Sequence, residues 1–479
     1  MPHRRVDRRG VLLGAAASGV GLAASRVGAA TAGDGRPNIV FILADDMGYA
    51  DVACYGRPDV RTPNIDRIAA RGAKLTQAYA NSAVCTATRV ALLTGRYQYR
   101  LPIGLEEPLG IGADIGLPTD HPTLPSLLKR AGYHTTLLGK WHLGYLPKYG
   151  PLQSGYDEFY GFRSGGVDYF THKSGKDDDL WDGDTPVQQA GYLTDLLGDR
   201  AVKVVREQAR RAGPFLISLH FSAPHWPWEG PGDENKPSAS IDETGDQKTY
   251  QAMIERLDFQ IGRVMRALEA TGQAKNTIVV FTSDNGGERF AYTWPFTGRK
   301  TELLEGGLRV PALISWPGHI PAGRIVDQTA MSMDWAPTLL AAAGAAADPA
   351  YPLDGMNLLP TLTRGAAPVS RKLYWRYKAN HQRAMRDGDY KVLKILDNTF
   401  LFNVVADPLE RANLKAREPA IYRRMTSEWS AWSATMLPET LASFTAGNNG
   451  RSLADHFGAV PPGREPDDGL TWPNPPAAR

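Results

Sequence analysis

The chain has 479 residues, of which 42% are apolar and 22% are charged, and its formal net charge at pH 7 is +3. This length and composition predict one large domain with an appendage, or two to three average domains, and exclude a chain too polar to build a packed core. The first 32 residues carry five arginines and one aspartate, so the remainder has a net charge of −1 and no basic bias toward nucleic acid.

The chain begins with a segment typical of an export signal. Asp7-Arg8-Arg9-Gly10-Val11-Leu12-Leu13 is a twin-arginine pattern, and a run rich in Ala, Gly, Leu and Val follows it up to Ala24. That run is too short and too rich in small residues to be a stable membrane span. We predict that residues 1–32 direct export by the Tat machinery of a bacterium, so that the protein is periplasmic or secreted; a disordered basic N-terminus is the alternative.

From residue 36 to about residue 368, short apolar runs alternate with helical patterns, which predicts an α/β sheet covered by helices on both faces. The predicted strands are 39–44, 133–138, 214–221 and 277–282. The predicted helices are 62–72, 124–132, 195–211 and 250–271.

Two pairs of oxygen-bearing side chains follow predicted strands: Asp45 with Asp46, and Asp284 with Asn285. The carboxyl ends of strands are where an open α/β sheet binds its ligands. Three neighbouring carboxylates would repel one another, and a divalent cation would neutralise them. Oxygen ligands without a His/Cys cluster favour calcium over zinc, with magnesium as the alternative. Either pair alone could equally be a helix cap or a turn.

Cys85 and Arg89 are four residues apart with only small residues between them, which places both on one face of a predicted helix. If Cys85 lies at the start of that helix, its backbone N–H groups and Arg89 would attract an anion. A small buried cysteine on an Ala/Thr-rich turn is also common, so this segment alone leaves both interpretations open. Cys54, the other cysteine, is predicted to be a small core residue.

The pattern changes after residues 341–354. Four short runs predict antiparallel strands with a hairpin turn at Asp387-Gly388, and a helix is predicted near 419–432. The predicted strands are 373–377, 382–386, 390–395 and 400–403. We expect a catalytic domain over 33–368, a C-terminal subdomain over 369–445 and a tail over 446–479.

The order and spacing of these motifs resemble the sulfatase family over nearly all of the chain after the leader. The resemblance also rests on Gly139-Lys140-Trp141-His142-Leu143-Gly144, on Pro224-His225-Trp226-Pro227, and on Gly298-Arg299-Lys300 ahead of residues 305–311. It implies an alkaline-phosphatase-like fold, in which helices sandwich a large mixed sheet, with a small C-terminal subdomain of antiparallel sheet and helix. It also implies a metal-dependent sulfuric ester hydrolase that acts on aryl or carbohydrate sulfates.

In sulfatases, a dedicated maturation enzyme oxidises the cysteine that matches Cys85 to formylglycine, an aldehyde whose hydrate is the nucleophile. The resemblance therefore implies that Asp45, Asp46, the hydrated residue 85, Asp284 and Asn285 hold the metal. The motif of this chain differs from the usual one at two positions, because Ala87 stands where proline is usual and Val90 where glycine is common.

The resemblance also assigns roles to five cationic or titratable side chains. Arg89 and Lys140 would hold the hydrated aldehyde and the sulfate oxygens, and Lys300 would neutralise charge on the bridging oxygen. His142 would be the base that regenerates the aldehyde, and His225 the acid that protonates the leaving oxygen. Arg309 is expected to be a structural partner of Glu305.

Two other functions stay open at this point. One is a phosphonate or phosphate ester hydrolase with the same nucleophile, and the other is a non-catalytic protein that binds sulfated glycans through Lys140, Lys300 and Arg89. Loops 164–189, 229–245 and 288–297 are predicted to shape the pocket. Six rings could face a sugar or aryl group: Tyr169, His172, Trp181, Trp228, Tyr292 and Trp294.

Overall fold

A computed structural model describes residues 35–235, 245–440 and 442–447, together with Leu470 and Trp472. The predicted export signal and almost all of the predicted tail lie outside these described residues. The residues after the first 32 belong to one unit, and the boundaries at 368 and 445 stay predictions. Within the described ranges, no helix combines the length and the apolar composition that crossing a membrane requires.

The strands lie in one large sheet, one four-stranded sheet and two small pairs. In chain order they are β1 (Asn38–Ala44), β2 (Ala73–Leu75), β3 (Ala78–Tyr79), β4 (His134–Lys140), β5 (Glu158–Phe162), β6 (Lys173–Ser174), β7 (Asp177–Asp178), β8 (Trp181–Asp182), β9 (Thr185–Pro186), β10 (Phe215–His220), β11 (Thr277–Ser283), β12 (Ala312–Ser315), β13 (Arg324–Val326), β14 (Ala330–Met331), β15 (Lys372–Tyr377), β16 (Gln382–Asp387), β17 (Tyr390–Ile395) and β18 (Asn398–Asn403).

The helices connect these strands and cover the sheets. They are α1 (Pro63–Ala70), α2 (Cys85–Thr94), α3 (Leu124–Arg130), α4 (Leu193–Gln208), α5 (Gln247–Ala270), α6 (Glu305–Leu308), α7 (Trp335–Ala342), α8 (Leu359–Arg364) and α9 (Pro419–Ser433). The predicted strands and helices therefore exist, with ends that differ by a few residues. The loop predicted over 164–189 contains the short strands β6 to β9, which are too short to show a periodic pattern in the sequence.

The large sheet is mixed, with the strand order β13-β2-β12-β11-β1-β10-β4-β5-β8-β9. Its five central strands, from β11 to β5, run parallel. In register, Ile42 of β1 lies between Leu219 of β10 and Phe281 of β11. The carboxyl ends of these five strands consequently meet at one edge of the sheet, where a ligand site is expected.

Helices cover both faces of the large sheet, and β1 is accordingly apolar on both of its sides. Val40 and Ile42 pack into a core with residues of α1, α4 and α5. Ile39 and Phe41 point the other way, into a core with residues of α2, α3 and α7. Cys54 is half-buried and packs against the first of these cores, and neither cysteine forms a disulfide.

The four strands β15 to β18 form an antiparallel sheet in sequential order. One face packs on α9, where Met385 and Val392 contact the cluster that contains Trp429. The other face, with Trp375 and Phe400, shares a core with residues of α2. This arrangement confirms the predicted fold class, a large mixed sheet between helices with a small C-terminal sheet and helix.

A buried charge cluster joins the small sheet to the large domain. Lys391 Nζ on β17 lies 3.0 Å from Glu305 Oε1 and 2.9 Å from Glu410 Oε1, and all three side chains are fully buried. Arg309 Nε donates to Glu305 Oε2 at 2.7 Å, which confirms the predicted structural pair. Because α6 begins at Glu305, five residues after Lys300, the cluster also fixes the segment that carries Lys300.

We expect Lys391→Met to lower the free energy of unfolding by about 3–5 kcal/mol, because it leaves two buried carboxylates without their shared cation. Urea titration followed by circular dichroism measures this loss. Lys372→Met is the matched control, since Lys372 pairs with Glu428 at 2.7 Å on the surface of the same sheet. The control should lose less than about 1 kcal/mol. Equal losses in the two variants would contradict the assigned role of the buried cluster.

Candidate active site

The polar residues predicted from the strand ends meet at the carboxyl edge of the parallel strands. Asp45 and Asp46 directly follow β1, and Asp284 and Asn285 directly follow β11. Lys140 is the last residue of β4 and lies at the same edge of the sheet. The structure thus brings together side chains that are up to 240 residues apart in the chain.

Each of the three buried aspartates has a cationic partner. Lys140 Nζ lies 2.5 Å from Asp45 Oδ2, and Lys300 Nζ lies 2.6 Å from Asp46 Oδ2. Arg89 Nη2 lies 2.9 Å from Asp284 Oδ2. Because all three aspartates are buried, removing a cationic partner would leave an uncompensated charge in a low-dielectric environment.

The carboxylates repel one another, as the sequence predicts. Burial, followed by the charge of Asp284, raises the pKa of Asp45 to about 8. Burial also acts to raise the pKa of Asp46, but Lys300 and then His225 outweigh it and hold that pKa below its usual range. A divalent cation would stabilise the ionised form of both aspartates.

The backbone around Asp46 is held in a conformation that few side chains adopt. Asp46 has a φ of 61°, and its N–H donates to Asp284 Oδ1 at 3.3 Å. Asn285 Nδ2 donates to Asp46 Oδ1 at 2.7 Å. These bonds join the two strand-end motifs into one unit.

The residues at this edge fit a hard divalent cation. Asp45 Oδ1 and Asn285 Oδ1 are buried oxygens without a hydrogen-bond partner, so two acceptors are available in addition to the paired carboxylate oxygens. One ligand atom from each of Asp45, Cys85 and Asp284 lies within 4.8 Å of the others. Carboxylate and amide oxygens are the ligands that calcium and magnesium prefer.

Cys85 is the first residue of α2 and is 1% exposed. Cys85 thus lies in the first turn of the helix, where backbone N–H groups lack intrahelical acceptors, and Arg89 lies one turn along. Burial raises the pKa of the Cys85 thiol, although Lys140 and Lys300 oppose the shift. An unmodified thiol at this position is therefore a poor nucleophile at neutral pH.

The surroundings of His142 fix its tautomer. His142 Nε2 lies 3.1 Å from the Leu109 carbonyl, which can only accept, so Nε2 carries the proton. His142 Nδ1 is buried without a hydrogen-bond partner, so its lone pair is free. Burial, followed by the charge of Lys140, lowers the pKa of His142 well below its usual value and keeps the ring neutral.

His225 lies next to Asp46. Its Nδ1 contacts the carbonyl of Trp226, and its Nε2 lies 3.6 Å from Asp46 Oδ2. Burial and then Lys300 lower the pKa of His225 well below its usual value, while Asp46 acts to raise it. Added negative charge near Nε2 would favour the protonated ring.

Sequence reasoning did not single out four residues that shape the site, although three of them lie in loops predicted to border the pocket. A methyl group on Gly165 would lie 2.8 Å from His142 Cε1, and one on Gly166 would lie 2.9 Å from His225 Cε1, so only glycine leaves room for both rings. His220 Nδ1 lies 3.4 Å from Arg89 Nη1, and Glu288 Oε2 lies 3.6 Å from Lys300 Nζ. The sequence offered one signal for each of these two residues: His220 ends a buried strand, and Glu288 follows Asp284-Asn285-Gly286-Gly287.

The structure corrects the prediction that six rings could face a substrate. Tyr169, His172 and Trp228 are buried, because their loops fold against the core. Tyr169 instead donates through its hydroxyl to the carbonyl of His225 at 3.0 Å. Trp294 and Tyr292 are 59% and 37% exposed and could contact a ligand. Part of loop 229–245 lies outside the described residues.

Comparisons with known proteins agree with this geometry. The Sulfatase family model matches residues 37–345, and a model described as "N-sulphoglucosamine sulphohydrolase, C-terminal" matches residues 297–430. Human N-acetylgalactosamine-6-sulfatase is 33% identical over 379 residues, which cover 74% of this chain and 71% of that protein. Human arylsulfatase A is 32% identical over 425 residues, which cover 80% of each.

Solved structures give the same result. The crystal structure of Ps i-CgsB in complex with k-i-k-neocarrahexaose is 32% identical, with a TM-score of 0.78, and the match covers 88% of this chain and 97% of that one. A phosphonate monoester hydrolase of Agrobacterium radiobacter has a TM-score of 0.59 at 21% identity, a likeness of fold alone.

Glu229 anchors the loop that carries His225 and should make stability depend on pH. Its Oε2 accepts the Tyr169 N–H at 2.8 Å, and burial, reinforced by Asp168, raises the pKa of Glu229 to about 8. The folded state therefore holds this proton more tightly than the unfolded state. The resulting stability is present below the unfolded-state pKa and is lost as the pH rises to about 8.

We expect Glu229→Gln, which cannot ionise but still accepts the Tyr169 N–H, to remove this loss. Relative to the variant, the wild type should lose roughly 1 kcal/mol per pH unit between about pH 5 and pH 8, measured by urea unfolding at several pH values. Glu255→Gln is the control, because Glu255 is exposed on α5. Parallel pH profiles for the wild type and Glu229→Gln would show that Glu229 does not titrate abnormally.

Proposed function

This chain belongs to the sulfatase family, and from that premise we propose that it cleaves sulfate esters with a formylglycine nucleophile made from Cys85 and with a divalent cation. It is a sulfuric ester hydrolase. One observation carries the proposal: Cys85 begins α2 within 4.8 Å of ligand atoms of Asp45 and Asp284, beside the cations that would bind a sulfate.

The proposed maturation gives residue 85 the reactivity that its thiol lacks. Oxidation to an aldehyde and addition of water produce a carbon with two hydroxyl groups, one of which can attack while the other stays in reserve. The buried thiol, whose pKa is raised, supports the need for this change. The maturation enzyme must accept the sequence Cys85-Thr86-Ala87-Thr88-Arg89.

In the first half-reaction, one hydroxyl group of residue 85 gives its proton to a neighbouring carboxylate, Asp45 or Asp284. Its oxygen forms a bond to sulfur while the bond between sulfur and the ester oxygen breaks. Lys140 and Lys300 stabilise the negative charge on the sulfate and bridging oxygens. His225, facing the site through Nε2, gives a proton to the leaving oxygen. The negative charge of the arriving ester favours the protonated form of His225 that this step requires.

In the second half-reaction, the reserve hydroxyl of residue 85 loses its proton to His142. The carbonyl re-forms as the bond between carbon and the sulfate oxygen breaks, and sulfate leaves without attack of water on sulfur. The unpartnered Nδ1 of His142 supports this role, because a neutral ring with a free lone pair can take a proton.

Five residues would hold the divalent cation, with calcium preferred over magnesium. They are Asp45, Asp46, Asp284, Asn285 and residue 85. When bound, the cation would neutralise the carboxylates and draw electron density from the sulfate group. Arg89 orients Asp284, because its Nε and Nη2 lie 3.1 Å and 2.9 Å from Asp284 Oδ2. Arg89 Nη1 also donates to the Lys140 carbonyl at 3.1 Å.

The substrate and the cellular route belong to the same proposal. The names of the relatives include sulfatases of aryl, steroid and amino-sugar esters, so we propose an aryl or carbohydrate sulfate for this chain. The twin-arginine pattern supports export by the Tat machinery to the periplasm or the medium.

Mass spectrometry of the peptide with residue 85 tests the nucleophile. We expect it to be about 18 Da lighter than the cysteine form and to react with hydrazide reagents, because the side chain becomes an aldehyde. Cys85→Ala should abolish turnover of 4-nitrophenyl sulfate. Cys85→Ser should also lose nearly all activity after a single turnover, since serine has no second hydroxyl with which to expel sulfate.

Ala87→Pro is the matched variant for maturation, and it should raise or preserve the modified fraction without changing activity per modified molecule. A preparation with full specific activity and an unmodified Cys85 would overturn the formylglycine mechanism. It would leave the assignment as a sulfuric ester hydrolase intact.

Removal of the metal tests the proposed cation site. Exhaustive chelation should abolish turnover, and calcium or magnesium should restore it. Asp284→Ala should lose both the bound metal, measured by elemental analysis, and activity, because it removes one of few charged oxygen ligands. Asp327→Ala, at an exposed carboxylate outside the site, is the control. Full activity of a metal-free preparation would refute this part of the proposal.

A further inference from the structure

We propose that Glu288 sets the charge preference of the active site. It makes the pocket complementary to an ester with one negative charge, such as a sulfate monoester, and disfavours a doubly charged phosphate monoester. This inference rests on the proposed function, because it concerns which ester the same site accepts.

Glu288 shares a cation with a proposed metal ligand. Lys300 Nζ lies 2.6 Å from Asp46 Oδ2 and 3.6 Å from Glu288 Oε2, so the ammonium group stands between two carboxylates. Lys300 is the residue proposed to neutralise charge on the bridging oxygen. A carboxylate beside it therefore changes the potential where the substrate anion binds.

The backbone holds Glu288 firmly in this place. A methyl group on the preceding Gly287 would lie 2.0 Å from Ala291 Cβ and 2.8 Å from Gly48 N, so the loop passes through a space that only glycine fits. The Lys300 N–H donates to the Gly287 carbonyl at 2.9 Å, and the Ala291 N–H donates to the Glu288 carbonyl at 3.0 Å. Glu288 and Lys300 are thus held side by side.

Glu288 also lies on the open side of the site. Cys85 is 1% exposed and Lys140 is fully buried, whereas the side chains of His225, Lys300 and Glu288 are 11%, 13% and 27% exposed. Solvent reaches the site beside these three side chains, so we infer that an anion approaches residue 85 from this side. It consequently passes close to the Glu288 carboxylate.

A count of charges shows what that carboxylate does. Arg89, Lys140 and Lys300, with a bound divalent cation, carry five positive charges. Counted in their ionised forms, the three aspartates carry three negative charges and Glu288 a fourth, which leaves a single positive charge to match a sulfate monoester. Without Glu288 the site would have an excess of two positive charges. That excess would balance the two negative charges that a phosphate monoester carries above its second pKa of about 6.

The difference of one charge between these two cases depends on Glu288 alone, so it is the same whether or not His225 carries a proton.

Three esters of one leaving group test the proposal in the mature enzyme at pH 8. They are 4-nitrophenyl sulfate and 4-nitrophenyl phenylphosphonate, which carry one negative charge, and 4-nitrophenyl phosphate, which carries two. In Glu288→Gln we expect kcat/KM for the phosphate to rise about tenfold relative to the sulfate, while the ratio of phosphonate to sulfate stays unchanged. Glu288→Asp, which keeps the charge, should retain the wild-type ratios.

Binding without chemistry gives a second readout. In a Cys85→Ala background, calorimetric titration of the metal-loaded protein with 4-nitrophenyl phosphate should show tighter binding, by about tenfold, when Glu288→Gln is added. Binding of 4-nitrophenyl sulfate should change much less.

Two results would overturn the inference: unchanged phosphate-to-sulfate ratios in Glu288→Gln, or an equal rise for phosphate and phosphonate, which would indicate a change of shape and not of charge. Failure of the proposed function has a different signature. In that case the wild-type enzyme would hydrolyse no sulfate ester, whatever residue 288 is.

Discussion

Three aspartates buried within a few ångströms of one another make charge compensation the main constraint on this structure. Asp45, Asp46 and Asp284 each have a cationic partner at 2.5–2.9 Å, supplied from a different part of the chain. Buried carboxylates without such partners would cost several kcal/mol each. The sheet edge, the helix that carries Arg89 and the segment that carries Lys300 must therefore be in place together for the site to form.

The fold meets this constraint by converging separate segments on one edge. Parallel β1, β10, β4 and β11 end together, so their following residues share a small space without long connecting loops. The C-terminal sheet supports this arrangement from outside the site. It packs on the core around α2, and its Lys391 binds Glu305 at the start of α6. Catalytic geometry and the packing of this sheet are thus coupled.

Burial is also the largest influence on the protonation of Cys85, His142 and His225. The same desolvation keeps the Cys85 thiol protonated and both histidines neutral. A neutral His142 with a free Nδ1 can accept a proton, whereas a protonated thiol is a weak nucleophile. Burial therefore keeps His142 available as a base and also creates the need for a modified residue 85.

The amino-acid sequence is enough to predict the α/β class, most of the regular elements and the candidate residues that follow strand ends. These depend on local signals, namely apolar periodicity, glycine at helix ends and the Cys85–Arg89 spacing, which persist whatever the rest of the chain does. The packing of distant segments, in contrast, sets the Lys300–Glu288 contact, the fit of Gly165 and Gly166 against two histidines, and the tautomer of His142. It also decided that Tyr169 is buried while Trp294 is exposed. Those features arise where segments distant in the chain pack together, and no periodic pattern records which side chains will then be neighbours.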